Sequence, residues 1–271
     1  MTLITSFANQ NVKLIRKLEQ KKNRQETGLF FIEGLRTVGE AIQTGATIDA
    51  LVVAPDLLVS DFGKSLLDHS VIQNVERIEV SAEIYQKLAH KEGPQGIGAI
   101  VKQNWQAIDH IQVNPEDLWV ALDAVSDPGN LGTIMRTAEA VGSRGIILLG
   151  YSTDPYDPTA VKASMGAIFS LELAQSDWDS FLFWEKKNQL TIVGTSDSAK
   201  TDYQNVEYRR PMILLMGSER HGLPEEMQSA CDHVVFIPME GRTDSLNLAV
   251  ATGVMLYEIY NQTRILESVE S

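Results

Sequence analysis

Short apolar runs alternate with amphipathic stretches over roughly the first hundred residues of the chain. The apolar runs have the length and composition of strands. The pattern predicts four of them, at Leu29–Ile32, Ile48–Val53, Glu76–Val80 and Ile97–Val101. The stretches between them predict helices at Leu35–Thr44, Phe62–Asp68 and Glu83–Leu88. This alternation of strand and helix predicts a small α/β domain.

The same alternation resumes at residue 118 and continues through the second half of the chain. It predicts about five strands, at Leu118–Leu122, Gly145–Leu149, Thr191–Gly194, Ile213–Met216 and Val234–Ile237. It predicts helices at Leu131–Val141, Thr159–Gly166 and Phe181–Lys187, after Pro224, and at Leu246–Tyr260. Strands that alternate with helices favour a parallel, doubly wound sheet. The polar stretch 105–117 predicts a linker between domains at 1–104 and 118–271.

Polar residues follow several of the predicted strands of the second domain. Asn130 comes after the first strand with Arg136 on the helix behind it, Glu219 follows the fourth strand, and Ser245 and Asn247 follow the fifth. Because parallel strands end at the same edge of a sheet, these loops predict a ligand site. Arginine suits a phosphate, while amides and hydroxyls suit ribose. The set therefore favours a polyanionic substrate that bears hydroxyl groups.

Each loop residue, taken singly, also has a purely structural explanation. Gly217 and Gly222 suit a turn, and Asn130 and Ser245 suit helix N-caps. The phosphate loop GxxxxGK[ST], HExxH, GxSxG and paired CxxC motifs are all missing from the sequence. The five histidines are scattered, so the sequence predicts no metal site.

The last predicted helix is apolar on almost every side, through Leu246, Leu248, Val250, Val254, Met255, Leu256, Tyr257 and Ile259. It is too short to span a bilayer. A helix that is apolar all round must be buried all round. This pattern predicts a homodimer in which a second copy covers the helix. The alternative is a helix wedged between the two domains, which satisfies the same requirement.

The chain of 271 residues carries a formal net charge of −13, which argues against a protein that coats nucleic acid non-specifically. Residues 11–36 are an exception, since seven Lys and Arg face three Glu there. Lys13, Arg16 and Lys17 are spaced to share one face of a helix, and Arg36 follows. This basic face predicts RNA binding, while the alternative is an ordinary solvated helix face.

The sequence also bears on the compartment. Its single cysteine, Cys231, excludes an internal disulfide and fits a reducing compartment. No secretory signal is evident near the first residue, and no apolar run is long enough to span a membrane. These features predict a cytoplasmic protein that does not enter a membrane.

Three motifs occur in order in the second half of the chain: NLGTIMRTAEAVG, LLMGSERHGLP and IPMEGRTDSLNLAVATGVMLYE. Together they resemble the three motifs of the SpoU (TrmH-like) RNA ribose 2′-O-methyltransferases of the SPOUT superfamily. The resemblance covers about residues 118–260 and is specific, because the order and the interiors of all three motifs match. KASMGA at residues 162–167 resembles an intermediate segment of that family, and FIEG before Arg36 is similar to its small substrate-binding domain.

The resemblance implies a homodimer with a deep trefoil knot that binds S-adenosylmethionine. By resemblance, loops at Thr195, Gly217, Ile237 and Leu246 would hold the cofactor. The group that positions substrate and carries catalysis would be Asn130, Arg136, Glu219, Ser245 and Asn247.

The reaction that the resemblance implies is methyl transfer to a ribose 2′-hydroxyl. The family's proposed base matches Arg136, but a guanidinium is effectively never deprotonated. We therefore expect Arg136 to clamp a phosphate and orient the hydroxyl. The additional N-terminal domain favours ribosomal RNA over tRNA by analogy. Two alternatives stay open, a non-catalytic RNA-binding member of the family and an α/β enzyme that acts on a small molecule.

Overall fold

A computed structural model describes residues 3–89, 93–243 and 245–270, with side chains as far as residue 264. The helices of these residues are α1 Gln10–Lys17, α2 Lys21–Thr27, α3 Leu35–Gln43, α4 Asp61–Leu66, α5 Ala82–Leu88, α6 Pro128–Ala140, α7 Pro158–Ser164, α8 Trp178–Asn188, α9 Glu225–Ser229 and α10 Leu248–Glu270. The strands are β1 Leu29–Glu33, β2 Ile48–Val53, β3 Glu76–Glu79, β4 Ile97–Lys102, β5 Trp105–Gln106, β6 Leu118–Asp123, β7 Gly145–Leu149, β8 Glu172–Ser176, β9 Thr191–Thr195, β10 Thr201–Asp202, β11 Met212–Met216 and β12 His233–Phe236.

The chain divides into two compact units. The first contains residues 1–103 and 154–170, and the second contains residues 104–153 and 171–271. The first unit has a four-stranded sheet of order β1-β4-β2-β3, in which only β2 and β3 run parallel among the described strands. Helix α1 buries Val12 and Ile15 and keeps its basic side chains exposed. The α/β architecture predicted for this part of the chain is confirmed.

A buried arginine holds the first unit together. Arg24, on α2, is 1% exposed, and its guanidinium lies 2.8 Å from Asp154 Oδ2 and 3.5 Å from Asp157 Oδ2. Its Nη1 also donates to the carbonyl oxygens of Leu18 and Glu19. Because a buried charge is tolerated only when it is paired and hydrogen-bonded, Arg24 fixes both α2 and the distant segment that carries the two aspartates.

The segment 154–170 packs into the first unit at further points. The ring of Phe30, on β1, lies 4.7 Å from that of Tyr156 and 6.3 Å from that of Phe169. Gly166 has φ +104°, and a Cβ there would come within 2.7 Å of Glu40 Cγ on α3. Glycine thus meets both a left-handed backbone and a close approach at this position.

The second unit is built on a sheet of order β10-β12-β9-β11-β6-β7-β8-β5, in which every described pairing is parallel. Strands β6, β7 and β11 are buried at every residue. Such continuous apolar runs are typical of parallel strands covered on both faces. The predicted parallel α/β sheet is therefore confirmed. The trefoil knot that the resemblance implies stays a prediction.

The predicted count of about five strands was too low. Strand β8 has the sequence ELAQS, and its polar residues conceal a strand that pairs with β7. The two-residue strands β5 and β10 extend the sheet at its two ends. Neither gives a recognisable apolar run, which is the signal that sequence patterns rely on.

The two compact units differ from the predicted domains in two places. The segment 154–170 lies in the first unit although it falls within the predicted domain 118–271. The predicted linker 105–117 contains β5, and its Ile108 and Ile111 are buried in the core of the second unit. The functional domain boundaries themselves stay a prediction.

Helix α10 packs against α6 and β11 within the second unit. Its Met255, Leu256 and Ile259 are fully buried, while Val250 and Tyr257 are about half exposed. The helix begins at Leu248 rather than at the predicted Leu246. Within the described residues, no helix has both the length and the apolar character needed to cross a membrane.

Replacement of Arg24 tests the role of the buried ion pair. Because Arg24→Leu leaves the buried Asp154 without its cation, we expect the free energy of unfolding of the first unit to fall by about 3–5 kcal/mol. Lys22→Leu is the matched control, since the Lys22 side chain is 81% exposed and its loss should change stability by at most about 0.5 kcal/mol. Urea unfolding measures both variants, and equal midpoints would contradict this role.

Candidate active site

The candidate site lies at the carboxyl edge of the parallel sheet of the second unit. The neighbouring strands β6, β11, β9 and β12 all run in the same direction and end at this edge. Such an edge is where open α/β sheets bind ligands. Two loops and the start of α10 bring polar side chains together there.

The first loop leads from β6 into α6. Asp127 is the N-cap of α6, and its Oδ1 accepts a hydrogen bond of 2.7 Å from the backbone N–H of Asn130. Pro128 occupies the first turn, where its missing N–H costs nothing. The helix therefore starts at Pro128 rather than at the predicted Leu131, and Asn130 lies in its first turn.

The second loop follows β11 and depends on two glycines. Ser218 and Gly222 exchange backbone hydrogen bonds of 3.1 and 3.0 Å, which close a tight turn around Glu219. Gly222 has φ +62°, and a Cβ on Gly217 would lie 2.1 Å from the carbonyl carbon of Gly222. Because no side chain fits at Gly217, the chain can fold back this closely only with glycine there.

The carboxylate of Glu219 joins the two loops. It accepts hydrogen bonds from the backbone N–H of Ser126 at 3.3 Å, the Ser126 hydroxyl at 3.3 Å and the backbone N–H of Asp127 at 3.4 Å. Its Oε1 also accepts a bond of 3.1 Å from the side-chain amide of Asn130. One side chain on the β11 loop thus fixes the backbone and the amide orientation of the β6 loop.

Asn247 connects the start of α10 to the same network. Its Nδ2 donates to Asn130 Oδ1 at 3.0 Å. Its Oδ1 accepts from the backbone N–H of Ala249 at 2.9 Å, so Asn247 caps α10. The residues predicted to act together thus include three that the structure brings into direct contact, namely Asn130, Glu219 and Asn247.

The hydrogen bonds also set the ionisation of Glu219. Partial burial alone would raise the pKa of its carboxyl, but hydrogen bonds from its own backbone N–H, Asn130, Ser126 and Asp127 outweigh burial and lower the pKa below its usual value. The network therefore favours a charged carboxylate. The site carries a fixed negative charge beside the amides of Asn130 and Asn247.

The two other predicted catalytic residues lie outside this hydrogen-bonded network. Arg136 is exposed on α6, six residues beyond Asn130, and forms no ion pair or hydrogen bond with the described part of the chain. Ser245 is exposed two residues before Asn247, again with no hydrogen bond to any described residue. Their predicted roles stay predictions.

The predicted cofactor residues lie at or near the ends of strands. Thr195 ends β9 and is paired in register with Val235 of β12. Gly217 and Ile237 directly follow β11 and β12. Leu246 lies two residues before α10. Thr195, Ile237 and Leu246 are half-buried, while Gly217 is buried.

The basic residues predicted to bind RNA lie in the first unit. Lys13, Arg16 and Lys17 are exposed on α1, opposite its buried apolar side chains, and Arg36 is exposed on α3. Arg24 belongs to the same charged stretch of sequence but is buried in its ion pair. It therefore adds nothing to the exposed basic face.

Sequence reasoning missed Ser126 and Asp127 as parts of the site. Both donate backbone N–H groups to Glu219, and Ser126 adds its hydroxyl. The Asp-Pro pair at residues 127 and 128 signals the start of a helix, so it could have placed the N-cap correctly. Nothing in the sequence indicates that the carboxylate from residue 219 would receive these donors.

Comparison with known proteins agrees with this geometry. The model of the SpoU rRNA methylase family matches residues 117–257, and that of the MRM3-like substrate-binding domain matches residues 9–99. A 23S rRNA (uridine(2479)-2′-O)-methyltransferase from Streptomyces viridochromogenes is 30% identical, over 90% of this chain and 87% of that protein. A 23S rRNA (guanosine(2553)-2′-O)-methyltransferase from Bacillus subtilis is 26% identical, over 96% of this chain and 99% of that protein.

A solved structure is similar over nearly the whole chain. The AdoMet-bound rRNA methyltransferase from Sinorhizobium meliloti is 38% identical and superposes with a TM-score of 0.87. The match covers 96% of this chain and 97% of that protein. Both units of the fold are therefore present in this relative.

Replacement of Glu219 tests its charge. Its folded-state pKa lies below the usual value of 4.5, so the carboxylate stabilises the fold above that pH and this contribution is lost as the pH falls through the folded-state pKa. We expect Glu219→Gln to be less stable than the natural protein at pH 7, and the difference to shrink below about pH 4.5.

Urea unfolding at a series of pH values measures this difference. Glu225→Gln is the control, because Glu225 is exposed at the start of α9. A stability difference between natural protein and Glu219→Gln that stayed constant down to the acid limit of folding would rule out a charge-dependent role.

Proposed function

Because the chain belongs to the SpoU rRNA methylase family, we propose that it transfers a methyl group from S-adenosylmethionine to a ribose 2′-hydroxyl of ribosomal RNA. The observation that carries this proposal is the contact of Asn130, Glu219 and Asn247, which brings the three family motifs into one network. Ribosomal RNA is favoured over tRNA because the relatives from Streptomyces viridochromogenes and Bacillus subtilis are named for 23S rRNA and align over at least 87% of their lengths. The predicted cytoplasmic location accords with such a substrate.

The residues at the carboxyl edge suit S-adenosylmethionine. Thr195 offers a hydroxyl, Gly217 exposes only backbone, and the half-buried Ile237 and Leu246 offer apolar side chains. Backbone hydrogen-bonding groups beside an apolar surface match an adenosine, which has a flat ring and polar edges. The bound cofactor would supply a methyl group activated by its attachment to a sulfonium.

The protein's contribution is to orient the ribose. Asn130 uses one amide N–H on Glu219 and its carbonyl on Asn247, so both ends of its side chain are fixed before RNA binds. Arg136 presents a planar fork that suits a phosphate beside the reacting ribose. A guanidinium cannot accept the proton, and we assign the departing proton to water. Orientation of bound reactants by itself lowers a barrier by several kcal/mol.

The proposal is tested by mapping 2′-O-methyl groups in RNA from cells with and without the gene. We expect one ribosomal RNA position to lose its 2′-O-methyl group, and a plasmid copy of the gene to restore it. Loss of a tRNA methyl group instead would transfer the assignment to tRNA. If no ribose methyl group disappears, the proposed function is wrong.

Two replacements of Arg136 separate a substrate role from a structural one. Arg136 is exposed, so we expect Arg136→Ala and Arg136→Lys to keep the natural melting temperature and cofactor affinity. Both should lose methyl transfer because the fork is lost, Ala by about 100-fold and Lys by less. Near-natural turnover of Arg136→Ala on its true RNA would contradict the assignment.

The exposed face of α1 is proposed to hold RNA. Each phosphate contact contributes about 0.7–0.9 to the log–log slope of affinity against salt. Reversal of Lys13, Arg16 and Lys17 to Glu should therefore weaken binding and flatten the slope by about 2. Cofactor binding should not change. Reversal of Lys186 and Lys187, exposed on α8, is the control, and an unchanged slope in the triple variant would show that the α1 face is only solvated.

A homodimer is the proposed assembly, supported by the apolar strip of Val250, Val254 and Tyr257 on α10. These residues repeat at helical spacing, and Val250 and Tyr257 remain about half exposed in one chain. Tyr257→Asp should give monomers in sedimentation velocity, while Lys187→Asp should not. Leu256 is fully buried within its own chain, so its replacement would test folding instead. A natural protein that sediments as a monomer at micromolar concentration would refute the dimer.

A further inference from the structure

One buried carboxylate at the candidate site has no role in the network around Glu219. Asp123 is the last residue of β6, is 9% exposed, and has no hydrogen bond or ion pair with the described residues. Burial raises the pKa of its carboxyl. Buried polar groups nearly always have a partner, and one without a partner costs folding free energy. A group retained at such a cost is suited to a ligand that supplies the missing donors.

The backbone around Asp123 leaves its carboxylate accessible only from one narrow region. Gly150 follows β7 with φ +57°, and a Cβ there would lie 2.9 Å from Asp123 Oδ1. Ala124 has φ +50°, a conformation that residues with a side chain rarely adopt. Any larger side chain at residue 150 would close over the carboxylate.

Asp123 is close in the chain to the residues that contact Glu219. Three residues separate it from Ser126, a distance of at most about 11 Å even in an extended chain. This is a length that a single nucleotide spans. The loop after β7 also carries Tyr151, whose side chain is 92% exposed. An acceptor and an aromatic ring therefore lie at the same sheet edge as the proposed ribose site.

We propose that Asp123 receives the Watson–Crick edge of the target base and that this base is guanine. The inference rests on the proposed methyl transfer to RNA. Guanine presents two adjacent N–H donors, on N1 and N2, which match the two oxygens of a carboxylate. Uracil, cytosine and adenine each place an acceptor next to their donor, and that acceptor would face the carboxylate with like partial charge.

The proposed mode also requires the base to leave its stack. RNA-binding proteins read single-stranded bases on this edge while stacking them on aromatic side chains. The ring of Tyr151 offers such a stacking surface. The base would thus be read in the second unit, at the edge that also positions its ribose.

The RNA mapping of the proposed function gives the first test. We expect the position that loses its 2′-O-methyl group to be a guanosine. A uridine, cytidine or adenosine at that position would overturn the role of Asp123 while leaving the proposed function intact. If no ribose methyl group is lost, the proposed function fails, and the inference fails with it.

Variants on a synthetic RNA that spans the mapped nucleotide give the second test. Natural protein should lose about 10-fold in kcat/KM when the guanosine is replaced by inosine, which lacks the N2 donor. Asp123→Asn should lose about 10- to 100-fold on guanosine and no longer distinguish guanosine from inosine. The control is Asp179→Asn, an exposed carboxylate on α8, which should behave as natural protein.

Melting temperature and cofactor affinity separate this role from a structural one. Because Asp123 has no partner in the free protein, Asp123→Asn should melt at the same or a higher temperature and bind S-adenosylmethionine normally. A variant that melts lower and loses guanosine and inosine turnover in equal proportion would overturn the inference. Natural kcat/KM in Asp123→Asn would overturn it as well.

Discussion

The hydrogen bonds of Glu219 are the interaction on which the candidate site depends. The carboxylate comes from the β11 loop, while all four of its printed donors come from Ser126, Asp127 and Asn130 at the start of α6. Asn130 in turn holds Asn247 at the start of α10. Three elements far apart in sequence therefore share one rigid arrangement, and an anion supported by several donors is the strongest form of such a link. The turn around Gly217 and Gly222 exists because only glycine lets the chain present Glu219 in this position.

Much of this arrangement follows from the sequence. Apolar runs such as that of β11 and helix signals such as Pro128 gave the parallel sheet, and motif order gave Asn130, Glu219 and Asn247 as a group. What the sequence could not supply is contact between side chains, because hydrogen bonding depends on tertiary geometry rather than on local pattern. Ser126 and Asp127 escaped for that reason. Strand β8 escaped because a strand with glutamate, glutamine and serine lacks the apolar signal.

The segment 154–170 shows a second limit of sequence patterns. It lies between β7 and β8 in the chain, inside the region matched by the methylase family model, yet it packs into the first unit. The pair of Arg24 and Asp154 spans 130 positions, and no periodicity predicts a partner at that separation. The same pair explains why Arg24, which looks like part of a basic surface, is instead a core residue. A charged residue in a basic stretch therefore indicates a nucleic-acid contact only where the fold leaves it exposed.

The central claim is that Glu219, Asn130 and Asn247 act as one unit in methyl transfer. A double-mutant cycle tests it, with kcat/KM on the mapped RNA measured for Glu219→Gln, Asn247→Ala and the double variant. Because both residues act through Asn130, we expect a coupling of about 0.5–3 kcal/mol, with the double variant losing less than the sum of the single losses. Strictly additive losses would show that the two residues act independently and would contradict the account.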